Sequence, residues 1–374
     1  NKTLNMRFVV SSKALLSSLS AVSKVVKSKN TISILNDFLF DVQGATLLVT
    51  GSDQETTITA RLELIECDGD GKFTLNVKKM LDLTKELPEQ NLEFIVKENF
   101  EVDIVYCNGI YNVMASDGVD YPQKEEEETE KIETEIPAEN LVRGIDNAIF
   151  AASGDTSRIV MNGVFVEIME DKVVFVATDT HKLVRFTDNG VQSNGIFSFI
   201  LQQKPASILA SIFTGEGTVK IVADSKGAIF KSENLQMVCS FIVGRYPNYN
   251  SVIPKELPYT ITVDREVLQA AVRRVSVFAD AGGKVVFDVT PSTLEIHTED
   301  IESQSSGHEK LICSYDGEPM TIAFNKDKIV EVLSAISSDT VFIKLSGPTR
   351  PTVYLPSEEP EGTEKIVLLM PMMI

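Results

Sequence analysis

One order of predicted elements recurs three times along the 374 residues, and this repeat limits the possible folds more than any single motif. Residues 7–10 read as a strand. Residues 12–29 read as a helix with Leu15, Leu16, Leu19, Val22 and Val26 on one face. A strand meander follows at 37–42, 46–50 and 56–62, with Gln43-Gly44 as a turn. The order then restarts with a strand at 72–75, a helix at 77–87, and strands near 92–96, 102–106 and 110–114. It returns after residue 134 with helices at 139–151 and 204–212, and again from residue 259 with helices at 264–277 and 326–336. First strands near 6, 134 and 259 give a period of about 125–130 residues, the size of a whole domain and too long for a solenoid unit.

Three domains are expected, at 6–124, 134–250 and 258–374, each holding two strand–helix–strands halves. Connectors support the division. The acidic run after Tyr121-Pro122 and the proline-containing stretch after Tyr246-Pro247 have linker composition. Short hairpin-linked strands with two amphipathic helices per domain predict an α+β fold, helices packed on one side of antiparallel sheets.

Charge is distributed unevenly. Lys and Arg number 35 against 54 Asp and Glu, a net charge of −19, which as an average argues against nucleic acid. Six helix windows (12–29, 77–87, 139–151, 202–213, 264–278, 326–336) reverse the sign, with 14 basic and 8 acidic residues. Lys13, Lys24, Lys27 and Lys29 fall in the first window without an acid. Solvated lysines on helices are commonplace. Segregation of positive charge to one surface would instead suit phosphate backbones held without base readout.

Other chemistry is sparse. No apolar run reaches the roughly 20 residues of a membrane helix. Residues 1–5 lack a hydrophobic signal and read as an extraneous leader before a natural start at Met6. Cys67, Cys107, Cys239 and Cys313 are scattered, which fits reduced cytoplasmic thiols and neither a disulfide framework nor a zinc site. No cofactor or metal is expected. Asp68-Gly69-Asp70-Gly71 lacks the later ligands of a calcium loop, and neither Thr214-Gly215-Glu216-Gly217 nor Ala281-Gly282-Gly283 leads into the Gly-Lys-Ser/Thr of a phosphate loop; all three read as turns. Asp179 and His181 could form an acid–base pair. The matching turn at residues 50–53 keeps an Asp without a His, and residues 298–300 carry another, so a structural turn Asp is the simpler reading. The chain reads as a binder and not an enzyme.

Ala177-Thr178-Asp179-Thr180-His181-Lys182-Leu183, Gly244-Arg245-Tyr246-Pro247-Asn248-Tyr249, Phe324-Asn325 and Leu369-Met370-Pro371-Met372, in this order and threefold context, resemble the bacterial DNA polymerase III beta subunits, the sliding clamps. The likeness runs from Met6 to the end. It implies three DNA-clamp domains per chain forming half of a closed ring, completed by a head-to-tail homodimer around duplex DNA. Twelve helices at about 10 Å spacing would line a circle roughly 38 Å across, leaving a hole of about 30 Å. Such a chain is a processivity factor that retains DNA by encircling it. Matched DNA-contacting positions are Lys29, Lys78, Arg158 and Lys204. The dimer contact would bring Tyr111 and Val113 to Val277 and Phe278 of a second copy.

The resemblance also implies a pocket for short linear motifs from the polymerase, clamp loader and repair proteins. Its matched positions are Met161, Thr178, Thr180, His181, Lys182, Leu183, Pro247, Val252, Asn325, Leu368, Leu369, Met370, Pro371 and Met372. A methionine-lined cleft can repack around varied side chains. Residues 368–372 could equally complete a core strand. Two positions depart from the family pattern: Lys182 stands where Arg is frequent, and the chain ends Met373-Ile374 where Arg-Leu is common. An enzyme built on Asp179 and His181, and a peptide scaffold that never encircles DNA, remain as alternatives.

Overall fold

The computed structural model describes residues 6–27, 30–122 and 130–374. Lys29, the acidic linker at 123–129 and the expected first-domain limit at 124 lie outside these. By proximity the chain divides into two compact units, one of residues up to Glu139 with Ile208–Phe241, the other of Asn140–Ser207 with Ile242–Ile374. Strand pairing explains why this division cuts across the period of the repeat.

In the first unit, a five-stranded antiparallel sheet runs Glu66–Asp68, Met6–Ser11, Asn91–Val96, Glu101–Tyr106, Gly109–Met114. A nine-stranded antiparallel sheet begins with Ser116–Asp117, Gly71–Asn76, Asp37–Gln43, Thr46–Ser52 and Thr56–Glu63. It continues through Leu235–Ser240, Gly227–Lys231, Thr218–Ala223 and Ile132–Pro137. The seam between repeats is the Thr56–Glu63 edge, whose Thr56, Ile58 and Ala60 face Cys239, Met237 and Leu235. Alternation along Thr56–Glu63 buries Thr56, Ile58, Ala60 and Leu62 on one face. Within the sheets Phe8 stacks on Phe94 at 4.8 Å and Phe40 on Phe73 at 5.2 Å, and Phe8–Phe73 at 6.3 Å and Phe40–Phe94 at 6.2 Å join the two sheets.

The second unit repeats the plan. Its nine-stranded sheet runs Phe197–Gln202, Gly163–Ile168, Val173–Thr178, Lys182–Asp188, Thr363–Leu369, Thr352–Pro356, Thr340–Leu345, Tyr259–Asp264, Ser314–Tyr315. A four-stranded sheet holds Ser305–Ile312, Thr293–Asp300, Lys284–Val289 and Met320–Asn325. The seam here joins Lys182–Asp188 to Thr363–Leu369, from Lys182 opposite Leu369 to Asp188 opposite Thr363. Lys365 lies in this seam. Burial pushes its amine down to about 8, while Asn147 Oδ1 at 2.8 Å and the Ala335 carbonyl accept its protons.

The described residues form six α-helices: α1 Ser12–Val22, α2 Val77–Glu86, α3 Ala138–Ala148, α4 Gln203–Ile212, α5 Arg265–Val275 and α6 Lys326–Ser334. Each starts on the residue after a strand. At four starts the strand's last residue is also the cap: the side chains of Ser11, Asn76, Asp264 and Asn325 accept the exposed N–H groups of α1, α2, α5 and α6. A polar residue at a strand end thus switches the backbone from extended to helical without a loop.

Helix ends differ from expectation. The window 12–29 stops at Val22, because the ladder tightens there: Lys24, Val25 and Val26 donate to carbonyls three residues back. The backbone of Gly51 lies against Val22 and Val26, where a Cβ would come within 2.8 Å of the Val22 side chain. Lys24 and Lys27 therefore lie beyond α1, and the basic excess on the helices is smaller than the windows indicate. Windows ending at 151 and 278 likewise finish as short 3₁₀ turns, Ile149–Ala151 and Ser276–Phe278.

Candidate functional site

The strands Val173–Thr178 and Lys182–Asp188 meet in a tight turn whose hydrogen bonds are nearly all internal. Thr178 Oγ1 donates to the Lys182 carbonyl at 2.7 Å and accepts the Thr180 N–H at 3.1 Å. Asp179 Oδ1 accepts the N–H groups of His181 and Lys182 at 2.9 and 2.8 Å. Thr180 is left at φ 78°, a left-handed conformation that a β-branched residue rarely adopts.

The second oxygen of Asp179 works outside the turn. It takes the ammonium of Lys328, on α6, at 2.6 Å and that of Lys182 at 3.1 Å. Lys182 Nζ also reaches Glu331 Oε2, one turn further along α6, at 2.5 Å. Burial alone would raise the Asp179 pKa, but the Lys328 hydrogen bond, the two backbone donors and the Lys182 charge bring it down to about 2. The Lys182 side chain is only 6% exposed, and an unpaired ammonium there would cost on the order of 3–5 kcal/mol.

The chain end crosses the gap between this turn and the start of α6. Met370 N–H donates to the His181 carbonyl and Met372 N–H to the Ala323 carbonyl, each at 2.7 Å. Asn325 Oδ1 caps α6 through the N–H groups of Asp327 and Lys328. Beneath them Leu183 and Leu368 are buried in one apolar cluster with Val174, Val176, Ile200, Ile242, Tyr246 and Tyr249. Exposed side chains above this floor include Thr180, His181, Val252 and Met370, with Met161, Pro247, Asn325, Pro371 and Met372 half-buried.

Chemically this is an apolar floor flanked by polar groups held in hydrogen bonds and ion pairs. Among the described residues no group of His, Cys, Asp and Glu is arranged to hold a metal. Asp179 is occupied by backbone and lysine donors, and it bonds the His181 N–H and not the imidazole, so an acid–base pair is not formed.

Models of three DNA polymerase III beta subunit domains match the chain in order: the N-terminal domain at residues 6–124, the central domain at 135–248 and the C-terminal domain at 250–372. The chain belongs to the DNA polymerase III beta subunit family. Relatives include the beta sliding clamps of Halalkalibacterium halodurans, 26% identical over 96% of this chain and 97% of that protein, and of Synechococcus elongatus, 26% identical over 99% and 100%. Similar folds include the Pseudomonas aeruginosa sliding clamp bound to griselimycin, with TM-score 0.92 and 24% identity over 99% and 100% of the chains. The Thermotoga maritima beta subunit matches with TM-score 0.89 and 22% identity, over 99% and 100%. The beta subunit is a non-catalytic sliding clamp, the processivity factor of DNA polymerase III.

Within this beta subunit, the expected pocket positions separate into two groups. Thr178, Lys182, Leu183, Leu368 and Leu369 are buried and form the frame. Thr180, His181, Val252 and Met370 are exposed on it. Residues 368–372 divide: Leu368 and Leu369 complete the strand Thr363–Leu369, and Met370 onward leaves it. Of the expected DNA contacts, Lys78 on α2 and Lys204 on α4 are exposed. Arg158 is exposed too, but its guanidinium donates to Thr180 Oγ1 at 3.0 Å, at the rim of the cleft.

The expected dimer residues lie beside open sheet edges. Among the described residues Gly109–Met114 pairs on one side only, with Glu101–Tyr106. It carries Tyr111, stacked on Tyr106 at 5.1 Å, the half-buried Val113, and Met114, 71% exposed. In the other unit Ser305–Ile312 likewise pairs only with Thr293–Asp300. Ile312 is 89% exposed and Val277 78%, while the Phe278 ring lies over Gly307, where a Cβ would come within 2.7 Å of it. Sequence reasoning missed Lys328, Glu331, Ile110, Met114 and Ile312. The i, i+3 spacing of Lys328 and Glu331 marks a shared helix face, but nothing local names its partner.

Proposed function

We propose that two copies of this chain close head to tail around duplex DNA and tether polymerase and other replication and repair proteins through the cleft at residues 178–183 and 368–372. The observation carrying this reading is the ordered match of three beta-subunit domain models across residues 6–372. The two open edges supply complementary ends: Gly109–Met114 of one copy would extend the sheet ended by Ser305–Ile312 of the next, covering Ile110, Tyr111, Met114, Val277 and Ile312. Each chain presents both edges, so the contact repeats once and closes.

DNA is held by topology. Lys29, Lys78, Arg158 and Lys204 give phosphate contacts without base readout, which keeps the ring mobile along the duplex. The acidic remainder of the chain disfavours DNA elsewhere on the protein. The protein works in the cytoplasm. No helix among the described residues is long and apolar enough to cross a membrane, and all four cysteines are free.

The test loads the protein onto nicked circular DNA with its clamp loader, removes free protein, and then linearises the circle. Release within minutes of cutting is the expected result. Equal retention on circular and linear DNA would overturn encirclement and favour a scaffold that binds peptides alone.

A further inference from the structure

The four charges beside the cleft form an arrangement that the pocket reading alone does not require. Asp179 and Lys182 belong to the turn on one side, and Lys328 and Glu331 to the first turns of α6 on the other. Three ion pairs of 2.5, 2.6 and 3.1 Å join them, so each lysine holds a carboxylate across the gap. The segment carrying Met370 and Met372 hangs between the same two walls by one main-chain bond to each, at His181 and Ala323.

We propose that Lys182, Glu331, Asp179 and Lys328 form a charged strut that sets the width of the partner-peptide cleft, with Lys182 acting as a positioning residue that does not touch the peptide. This rests on the reading of residues 178–183 and 368–372 as the peptide site.

The physical argument turns on where the ammonium points. A lysine at the rim of a binding cleft ordinarily offers a solvated, mobile charge to an acidic ligand. Lys182 does the opposite: its side chain is 6% exposed and both of its carboxylate partners belong to the protein. Lys182 directly follows His181 in the turn, so its tie to Glu331 holds the segment whose His181 carbonyl accepts the Met370 N–H. Glu331 is about half exposed, and Lys328 about a quarter, so the strut is anchored at the buried Lys182 end and solvated at the other. A cleft held this way is already in its binding shape, and the peptide need not order it. Neutralising Lys182 leaves Asp179 with Lys328 but cuts the bond to Glu331, so the turn and α6 lose one of their two charged ties.

The experiment uses the full-length dimer and a fluorescently labelled synthetic peptide copied from the clamp-binding segment of the replicative polymerase. Anisotropy titrations compare the unmodified protein with Lys182→Met, Lys182→Arg, Glu331→Gln and the Lys182→Met/Glu331→Gln pair. Lys182→Met and Glu331→Gln are each expected to weaken peptide binding by about five- to tenfold, and the pair by no more than the larger single effect. Lys182→Arg, which keeps the charge and the reach, retains binding. The methyl resonances of Met370 and Met372 shift or broaden in the peptide-free Met and Gln variants at an unchanged melting temperature, which a role in global stability would not produce.

Wild-type affinity in Lys182→Met and Glu331→Gln overturns the strut, as do fully additive losses in the pair. If Lys182→Met does not fold, Glu331→Gln, altered at a half-exposed carboxylate, decides alone. Absence of peptide binding by the unmodified protein would instead remove the peptide site itself, and the strut with it.

Discussion

In the turn at residues 52–56 the Ser52 hydroxyl donates to the Thr56 carbonyl at 3.2 Å; in the turn at 178–182 the Thr178 hydroxyl donates to the Lys182 carbonyl at 2.7 Å. Each hydroxyl also accepts the N–H two residues on, from Gln54 and Thr180, both at 3.1 Å. Asp53 Oδ1 takes the N–H groups of Glu55 and Thr56 as Asp179 Oδ1 takes those of His181 and Lys182. Even the strained residue recurs, with φ 78° at Gln54 and at Thr180. The third repeat keeps only the Asp: Asp300 Oδ1 accepts Glu302 and Ser303 N–H.

The second carboxylate oxygen is where the two turns part. Asp53 Oδ2 lies 3.6 Å from the Lys27 ammonium, while Asp179 Oδ2 holds the ammonium groups of Lys328 and Lys182 at 2.6 and 3.1 Å. One oxygen of the Asp builds the turn wherever the repeat places it. The other is available to local context, and only in the 178–182 turn does that context include α6 and the chain end. A repeated structural element thus acquires different surroundings through its neighbours, and the proposed peptide site rests on that difference.

Alanine at the two Asp positions tests this most severely. Asp53→Ala and Asp179→Ala each leave two backbone N–H donors without their acceptor and should lower stability by about 2–4 kcal/mol in urea unfolding, with Asp179→Ala the worse because it also takes a carboxylate from the Lys182 and Lys328 ammonium groups. Asparagine separates the two oxygens. Asn keeps the turn acceptor, so Asp53→Asn should cost less than about 1 kcal/mol and Asp179→Asn clearly more. Equal costs would mean that the lysines at Asp179 add nothing.

Acid provides a milder version. The Asp179 carboxyl in the folded chain titrates at about 2, below the ordinary 3.8, so its contribution is full above about pH 4 and is lost as pH falls toward 2. Urea midpoints should therefore show the wild type ahead of Asp179→Asn at pH 5 and the gap closing by pH 2. A gap independent of pH would place the Asn effect in the turn and not in the charge.

Glycine gives the smallest effect. Gln54→Gly and Thr180→Gly relieve the positive φ, and each should stabilise by about 0.5–1 kcal/mol before losses to unfolded-state entropy. The net gain at Thr180, read from the melting temperature, should be the lesser, since its Oγ1 also accepts Arg158.

Helix starts were legible because Ser11, Asn76, Asp264 and Asn325 are both strand ends and caps, a local signal. The end of α1 was not. Val25 and Val26 continue the apolar pattern, and only the close approach of Gly51 shows why the helix tightens before them. The grouping of the 178–183 turn with the segment at 368–372 was expected from the family motifs, and the strand pairing of Lys182–Asp188 with Thr363–Leu369 brings them together. The role of Lys182 there was not legible: a lysine in a turn gives no sign that its ammonium will be buried between Asp179 and Glu331, 149 residues away.

The sequence alone determined the three repeats, through a recurring order of elements, and the six helix starts to within one residue and the turn aspartates, through residues within a few positions of one another. Tertiary structure decided the rest. It set which strands fuse neighbouring repeats, and that the −19 net charge leaves a smaller basic excess on the helices than their windows imply. It also decided which of two like turns faces α6. Those outcomes depend on pairing partners far apart in the chain, and periodicity carries no information about a partner's address.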